Sequence, residues 1–223
     1  MIRQYNYVLL LGGLLLMLLG GSIDAESPNL STGVGFDITI LSVFVFGIWS
    51  LLRSRIAFIS GWVLAGLTLA LAVGAQFTDL LLLQYLALTT VLIFLFLSCS
   101  IAVYDVLFGG VIDINRLVGA ACIYLLSGSL WGIAYYLLSV ASPASFTGVS
   151  GETWGQQLNE FTYYSFVTLT TLGFGDIAPS APIARTLSYL EAVLGQLYLT
   201  VLVAALVGIH IAGRRSLLFP TQS

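Results

Sequence analysis

The chain has 223 residues, of which only 8% are charged, a formal net charge of −3 and a mean hydropathy of +1.03. That composition excludes an ordinary soluble domain and describes a chain that crosses a membrane several times. There is no basic patch for nucleic acid, and the two cysteines, Cys99 and Cys122, sit in apolar runs without companion ligands, so they read as small buried hydrophobes rather than a disulfide or a metal site.

Residues 1–23 form a first apolar run behind Arg3. It reads either as a secretory signal, with Ile23-Asp24-Ala25 as a weak cleavage site, or as a retained first span; Ile23 suits a peptidase poorly and favours the retained span. Residues 26–36, with Pro28, Gly33 and Gly35, read as a loop. A second span is expected over 37–52, ending at Arg53 and Arg55, and a third over 56–75. A tight turn at 76–79 leads to a fourth span over 80–103, and residues 104–116, with Gly109-Gly110 and Asp113, read as the next loop. A fifth span is expected over 117–140, a polar segment over 141–159, a short apolar helix over 161–170 and a last span over 184–212. The short helix cannot cross a bilayer, which takes about 20 apolar residues. The chain is therefore expected to dip into the membrane there and leave by the side it entered. Bare backbone at that depth is tolerated only where it is buried in protein or lines a water-filled path.

The basic residues orient this layout. Of seven, Arg3, Arg53, Arg55, Arg116, Arg214 and Arg215 fall on one side and Arg185 on the other. Positive charge marks the cytoplasmic face, so both termini are expected in the cytoplasm of a multi-pass protein of the cell membrane.

The segment between the short helix and the last span is Thr170-Thr171-Leu172-Gly173-Phe174-Gly175-Asp176. Thr-Leu-Gly-Phe-Gly-Asp resembles the selectivity filter of potassium channels, usually Thr-Val-Gly-Tyr-Gly-Asp. In that family four copies of the loop replace a potassium ion's hydration shell with carbonyl oxygens. The resemblance implies an all-α membrane protein: six transmembrane helices, a re-entrant pore helix and filter between the fifth and sixth, and a homotetramer. Potassium would be held by the carbonyls of Thr171, Leu172, Gly173 and Phe174, with Gly175 completing the strand and the Thr171 hydroxyl at the inner end. Carbonyls that all face one axis need backbone angles of alternating hand, which suits glycines at 173 and 175. Residues 1–116 would be a front domain, 117–215 the pore domain and 216–223 a short tail, leaving no cytoplasmic ligand-binding domain.

Around the filter the resemblance implies support from Thr170, from Asp176 and from Tyr163 and Tyr164, placed like the aromatic cuff of the family. Phe174 stands where a tyrosine usually ties the filter to that cuff. Val167 stands where some members place a glutamate that pairs with the aspartate corresponding to Asp176. Asp176 is thus expected to lack such a partner, and the filter to inactivate readily.

Glu191 lies inside the last span, where an acidic residue costs about 2.5–3.5 kcal/mol, so it needs a partner or a role. Leu190-Glu191-Ala192-Val193-Leu194-Gly195 resembles the family's Leu-Glu-Ala-x-x-Gly, which implies that Glu191 supports the filter from behind. Gly195 is either the gating hinge of the inner helix or a site of close helix packing. Gln196, Leu199, Thr200 and Val203 are candidate cavity-lining residues by helical spacing. His210, beside Arg214 and Arg215, reads as an interfacial residue, with a pH sensor as the sharper alternative. The fourth span carries no arginine. Steep voltage sensing needs several charges at about 2.3 kcal/mol each per 100 mV, so little is expected. The expected function is a passive potassium-selective channel without cofactors, whose partners are its own copies, membrane lipid and potassium ions. A weakly selective cation channel and a non-conducting regulatory subunit are the alternatives. No nucleophile–base set, metal cluster or phosphate loop suggests an enzyme.

Overall fold

The computed structural model describes residues 10–16, 18–19, 55–78, 81–108 and 114–218, nearly all of them helical. Residues 10–16 are a helical stretch whose Leu10 and Leu14 are buried in the common core. The helices that follow are α1 (Arg55–Thr78), α2 (Leu81–Phe108), α3 (Ile114–Ala141), α4 (Trp154–Leu169) and α5 (Pro182–Leu218). The second expected span, 37–52, lies outside the described residues. Among those described, three helical stretches are long and apolar enough to cross a membrane: Leu82–Tyr104, Val118–Ala141 and Pro182–Ala205. In α1 the apolar stretch is shorter, Ile59–Leu71.

Helices run further than hydropathy alone suggests. The turn expected at 76–79 is helical to Thr78, and the loop expected from 104 begins only after Phe108. Neither segment holds a glycine or proline before those points, so nothing in the backbone stops the helix. The short helix starts at Trp154 instead of at 161. Thr153 caps it: its side chain accepts from the Gln156 amide, and the Gln156 side chain accepts from the Thr153 amide. This reciprocal pairing satisfies amides that the first turn would otherwise leave open.

The packing order is sequential. Helix α1 lies along α2, α2 along α3, and α3 along α4, while α5 covers α4 and touches α3. Between α1 and α2 the Thr68 and Thr90 hydroxyls meet at 2.7 Å. The approach of α3 to α4 depends on two glycines one turn apart. A Cβ on Gly132 would stand 2.8 Å from the Thr162 Cα, and one on Gly128 2.6 Å from the Phe166 ring. Small residues at this spacing let helices meet backbone to backbone. Above them Tyr135, Phe146, Phe161 and Tyr164 form an edge-to-face aromatic cluster with centroid separations of 5.0–5.6 Å.

A two-stranded ribbon ties the loop before α4 to the loop after it. Strand β1 (Phe146–Thr147) runs antiparallel to β2 (Ala178–Pro179), pairing Phe146 with Pro179 and Thr147 with Ala178. The Ser145 carbonyl accepts from the amides of Ser180 and Ala181 at 2.9 and 3.3 Å. Gly148 turns at φ +88 directly against the Asp176 carbonyl, where a side chain has no room. The segment 170–176 is thus anchored at one end by α4 and at the other by this ribbon.

Candidate functional site: the glycine-paired segment and its backing

Helix α4 ends at Thr170, whose amide donates to the Phe166 carbonyl and whose hydroxyl donates to the same carbonyl at 2.6 Å. Beyond it the amides turn back toward the helix: Thr171 donates to Thr168 O, and Leu172 and Gly173 donate to Val167 O at 2.9 and 3.3 Å. The φ angles of Thr171, Gly173 and Gly175 are +59, +60 and +79, with Leu172 and Phe174 between them in the ordinary region. The hand of the backbone therefore alternates residue by residue. Among the described residues no hydrogen bond ends on the carbonyls of Thr171, Leu172, Gly173 or Phe174. All of residues 170–176 are exposed. A non-glycine residue with a branched Cβ seldom adopts positive φ, so Thr171 is a strained position, and such strain gathers at functional sites.

The residues expected around this segment fall into two groups. Tyr163 faces it: its hydroxyl donates to Asp176 Oδ2 at 2.8 Å, and its ring stacks on Phe174 with centroids 6.5 Å apart and planes 10° apart. That bond holds the Asp176 carboxyl below the usual carboxylate range, because it favours the charged form. Position 167 is a valine, so the glutamate pair of some family members has no counterpart here, and Asp176 takes its side-chain hydrogen bond from Tyr163 instead. Tyr164 turns the other way, since consecutive helical residues point about 100° apart. It is buried against α5, its hydroxyl 2.6 Å from the Ser188 hydroxyl, and gives no direct cuff to the segment of its own chain.

Behind α4 lies Glu191, wholly buried. The Tyr135 hydroxyl donates to its Oε2 at 2.6 Å, and the Ser165 hydroxyl stands 2.5 Å from its Oε1 and 2.7 Å from the Gly128 carbonyl. One side chain of α5 thus binds α3 and α4 together. Gly195 presses on the end of α4: a Cβ there would stand 2.5 Å from the Leu169 carbonyl, which also accepts from the Tyr124 hydroxyl at 3.2 Å. The chain around Gly195 stays helical. Gln196, Thr200 and Val203 are exposed on α5 and Leu199 is half-buried. The Gln196 side-chain amide donates to the Thr171 hydroxyl at 3.3 Å. Positions 210, 214 and 215 fall within α5.

Tyr135, Ser165, Tyr124 and Gly132 escaped the sequence reading. Only Gly128 and Gly132 carried a local signal, their four-residue spacing; the others meet their partners across 26 to 56 residues of sequence.

The segment of alternating backbone hand is thus held between a short helix and a long apolar one, in a chain with helices long and apolar enough to cross a membrane. Residues 120–210 match a family model described as an ion channel. The chain is also 31% identical over 87 residues to the two pore potassium channel c of Oryza sativa subsp. japonica, a stretch that covers 39% of this chain and 18% of that protein. The two matches support a potassium channel family for this part of the chain.

Proposed function

We propose that the chain is one subunit of a homotetrameric, potassium-selective channel that passes ions passively across a cell membrane. Residues 171–175 form its filter and α4 is its re-entrant pore helix. The observation that carries this reading is the alternation of φ at Thr171, Gly173 and Gly175 beside four carbonyls on which no hydrogen bond among the described residues ends. Alternating hand turns successive carbonyls to one side of the strand. Four strands around an axis then make a stack of oxygen rings that stand in for water around a dehydrated cation. A single strand makes no ring, so the reading requires four copies. Both termini lie in the cytoplasm, with the filter entered from outside. The α4 C-terminus at Thr170 points its dipole toward the inner cavity and favours a cation there. Glu191 and Asp176 support the filter without touching ions, and Gly195 is the place where the inner helix bends or stays pinned.

Within this assembly the segment 59–108 contributes packing and lipid contact instead of voltage sensing. Exposed Ile59, Trp62 and Val63 on α1 and Leu82, Ile93 and Phe96 on α2 give it an apolar exterior.

A potassium flux assay on the purified protein in liposomes tests the reading. Selective potassium flux blocked by barium is the expected result. Flux of sodium at a similar rate reduces the protein to a weakly selective cation channel. Absence of flux from an intact tetramer makes it a non-conducting subunit.

A further inference from the structure

We propose that Gln196 is a specificity-determining residue of the innermost cation site, acting through the Thr171 hydroxyl; this rests on the channel reading above. A hydroxyl has one proton and two lone pairs. The Thr171 proton is committed, because the hydroxyl donates to the Thr170 carbonyl at 2.6 Å. Toward everything else this oxygen can only accept. The Gln196 amide reaches it from α5 at 3.3 Å, and the amide nitrogen is the end that must face it, since the amide oxygen would meet another acceptor. One lone pair is thereby occupied, which leaves one for a cation on the axis.

The height of Gln196 is fixed by its neighbours. Gly195 sits hard against the Leu169 carbonyl, which also accepts from the Tyr124 hydroxyl. The turn of α5 that carries Gln196 cannot slide along α4 without moving that carbonyl. Thr200 adds a hydrogen bond from its hydroxyl to the Gln196 main-chain carbonyl at 2.8 Å, and Gln196 and Thr171 are both exposed on this side.

An amide hydrogen on the hydroxyl oxygen withdraws electron density from it. The inner ring of four hydroxyls therefore presents a weaker field than bare threonines would. A weaker field disfavours a divalent cation more than a monovalent one of similar size, because the interaction scales with the ion's charge. Gln196 thus keeps the inner end of the filter open to potassium by reducing its hold on divalent ions.

Barium is the probe. Its binding to the purified tetramer in lipid nanodiscs is measured by calorimetry for the wild type, Gln196→Leu and Gln196→Met, each alone and with Thr171→Val. Potassium flux is recorded on the same preparations. Removing the donor is expected to tighten barium binding about 5- to 10-fold, the scale of one net hydrogen bond. In the Thr171→Val background, where the hydroxyl is gone, the same substitutions are expected to change nothing. Unchanged or weaker barium binding in both Gln196 variants overturns the inference, as does a gain that persists without the hydroxyl. So does wild-type protein that binds no barium. A wild type that passes no potassium refutes the channel reading separately, and the calorimetric shift then decides the role of Gln196 alone.

Discussion

Glu191 offers the sharpest test of how the region behind segment 170–176 is held. In Glu191→Ala the Tyr135 hydroxyl, on a residue with no exposed surface, loses the acceptor it meets at 2.6 Å. A buried hydroxyl that loses its acceptor costs about 1–3 kcal/mol, less where a neighbour such as Ser188 takes up the bond. Ser165 fares better, because it keeps the Gly128 carbonyl at 2.7 Å. The side-chain atoms removed leave a gap among α3, α4 and α5, and each lost buried methylene adds about 0.8 kcal/mol. The sum is roughly 2–4 kcal/mol per chain. Glu191→Gln fills the same space and still offers Tyr135 an oxygen, so its cost should stay below about 1 kcal/mol. Equilibrium unfolding in mixed detergent measures both. A double-mutant cycle with Tyr135→Phe isolates the contact: in the double variant no hydroxyl is left unpaired, so the two penalties should fail to add by at least about 1 kcal/mol. Equal stability of the Ala and Gln variants, or a cycle that closes at zero, would refute the argument that this carboxyl group ties the three helices.

Four further outcomes follow from the geometry. Gly195→Ala gains about 1 kcal/mol of helix propensity but drives a Cβ to 2.5 Å from a main-chain carbonyl. Overpacking of that kind costs about 1–3 kcal/mol, so the assembled protein should melt earlier and its currents change, whereas a more stable variant with wild-type currents speaks against the close contact. Gly132→Ala should lower stability by a similar amount, read as a lower thermal midpoint in detergent, because the atom it meets is the Thr162 Cα and not a movable side chain. Tyr163→Phe keeps the stacking on Phe174 but removes the bond to Asp176, and should speed the decay of macroscopic current relative to wild type; identical decay would show that the bond does not brace the filter. Conductance in symmetric potassium should vary little with voltage, since α2 carries no basic residue, and a steep conductance–voltage curve is the contrary result.

What the sequence conveyed, and what it hid, divides along the range of the interactions. The glycines at 173 and 175 and the apolar runs are local features, legible because backbone hand and hydropathy are read over a few residues. The cost of an acidic side chain in a span announced that Glu191 needed a partner, but not that the partners would be Tyr135 and Ser165, 56 and 26 residues away. The early start of α4 had a local signal, the Thr153–Gln156 capping pair, which the polar character of the surrounding loop masked. Tyr163 was legible as an aromatic residue near the filter. Its bond to Asp176 depends on the turn through 170–175 that brings the two together, and no spacing rule supplies that turn.

Thr171 shows why the local pattern is nonetheless so specific. Of the three left-handed positions, two are occupied by glycine, which adopts that hand at little cost. The third holds threonine, whose branched Cβ makes the same conformation unfavourable by about 1–3 kcal/mol. Glycine at 171 would relieve that strain and preserve the direction of every carbonyl. What it would lose is the hydroxyl, which here donates to Thr170 and accepts from Gln196. Backbone geometry alone therefore does not account for threonine at this position. What threonine adds at this position is its hydroxyl, which links the Thr170 carbonyl to the Gln196 amide across from α5.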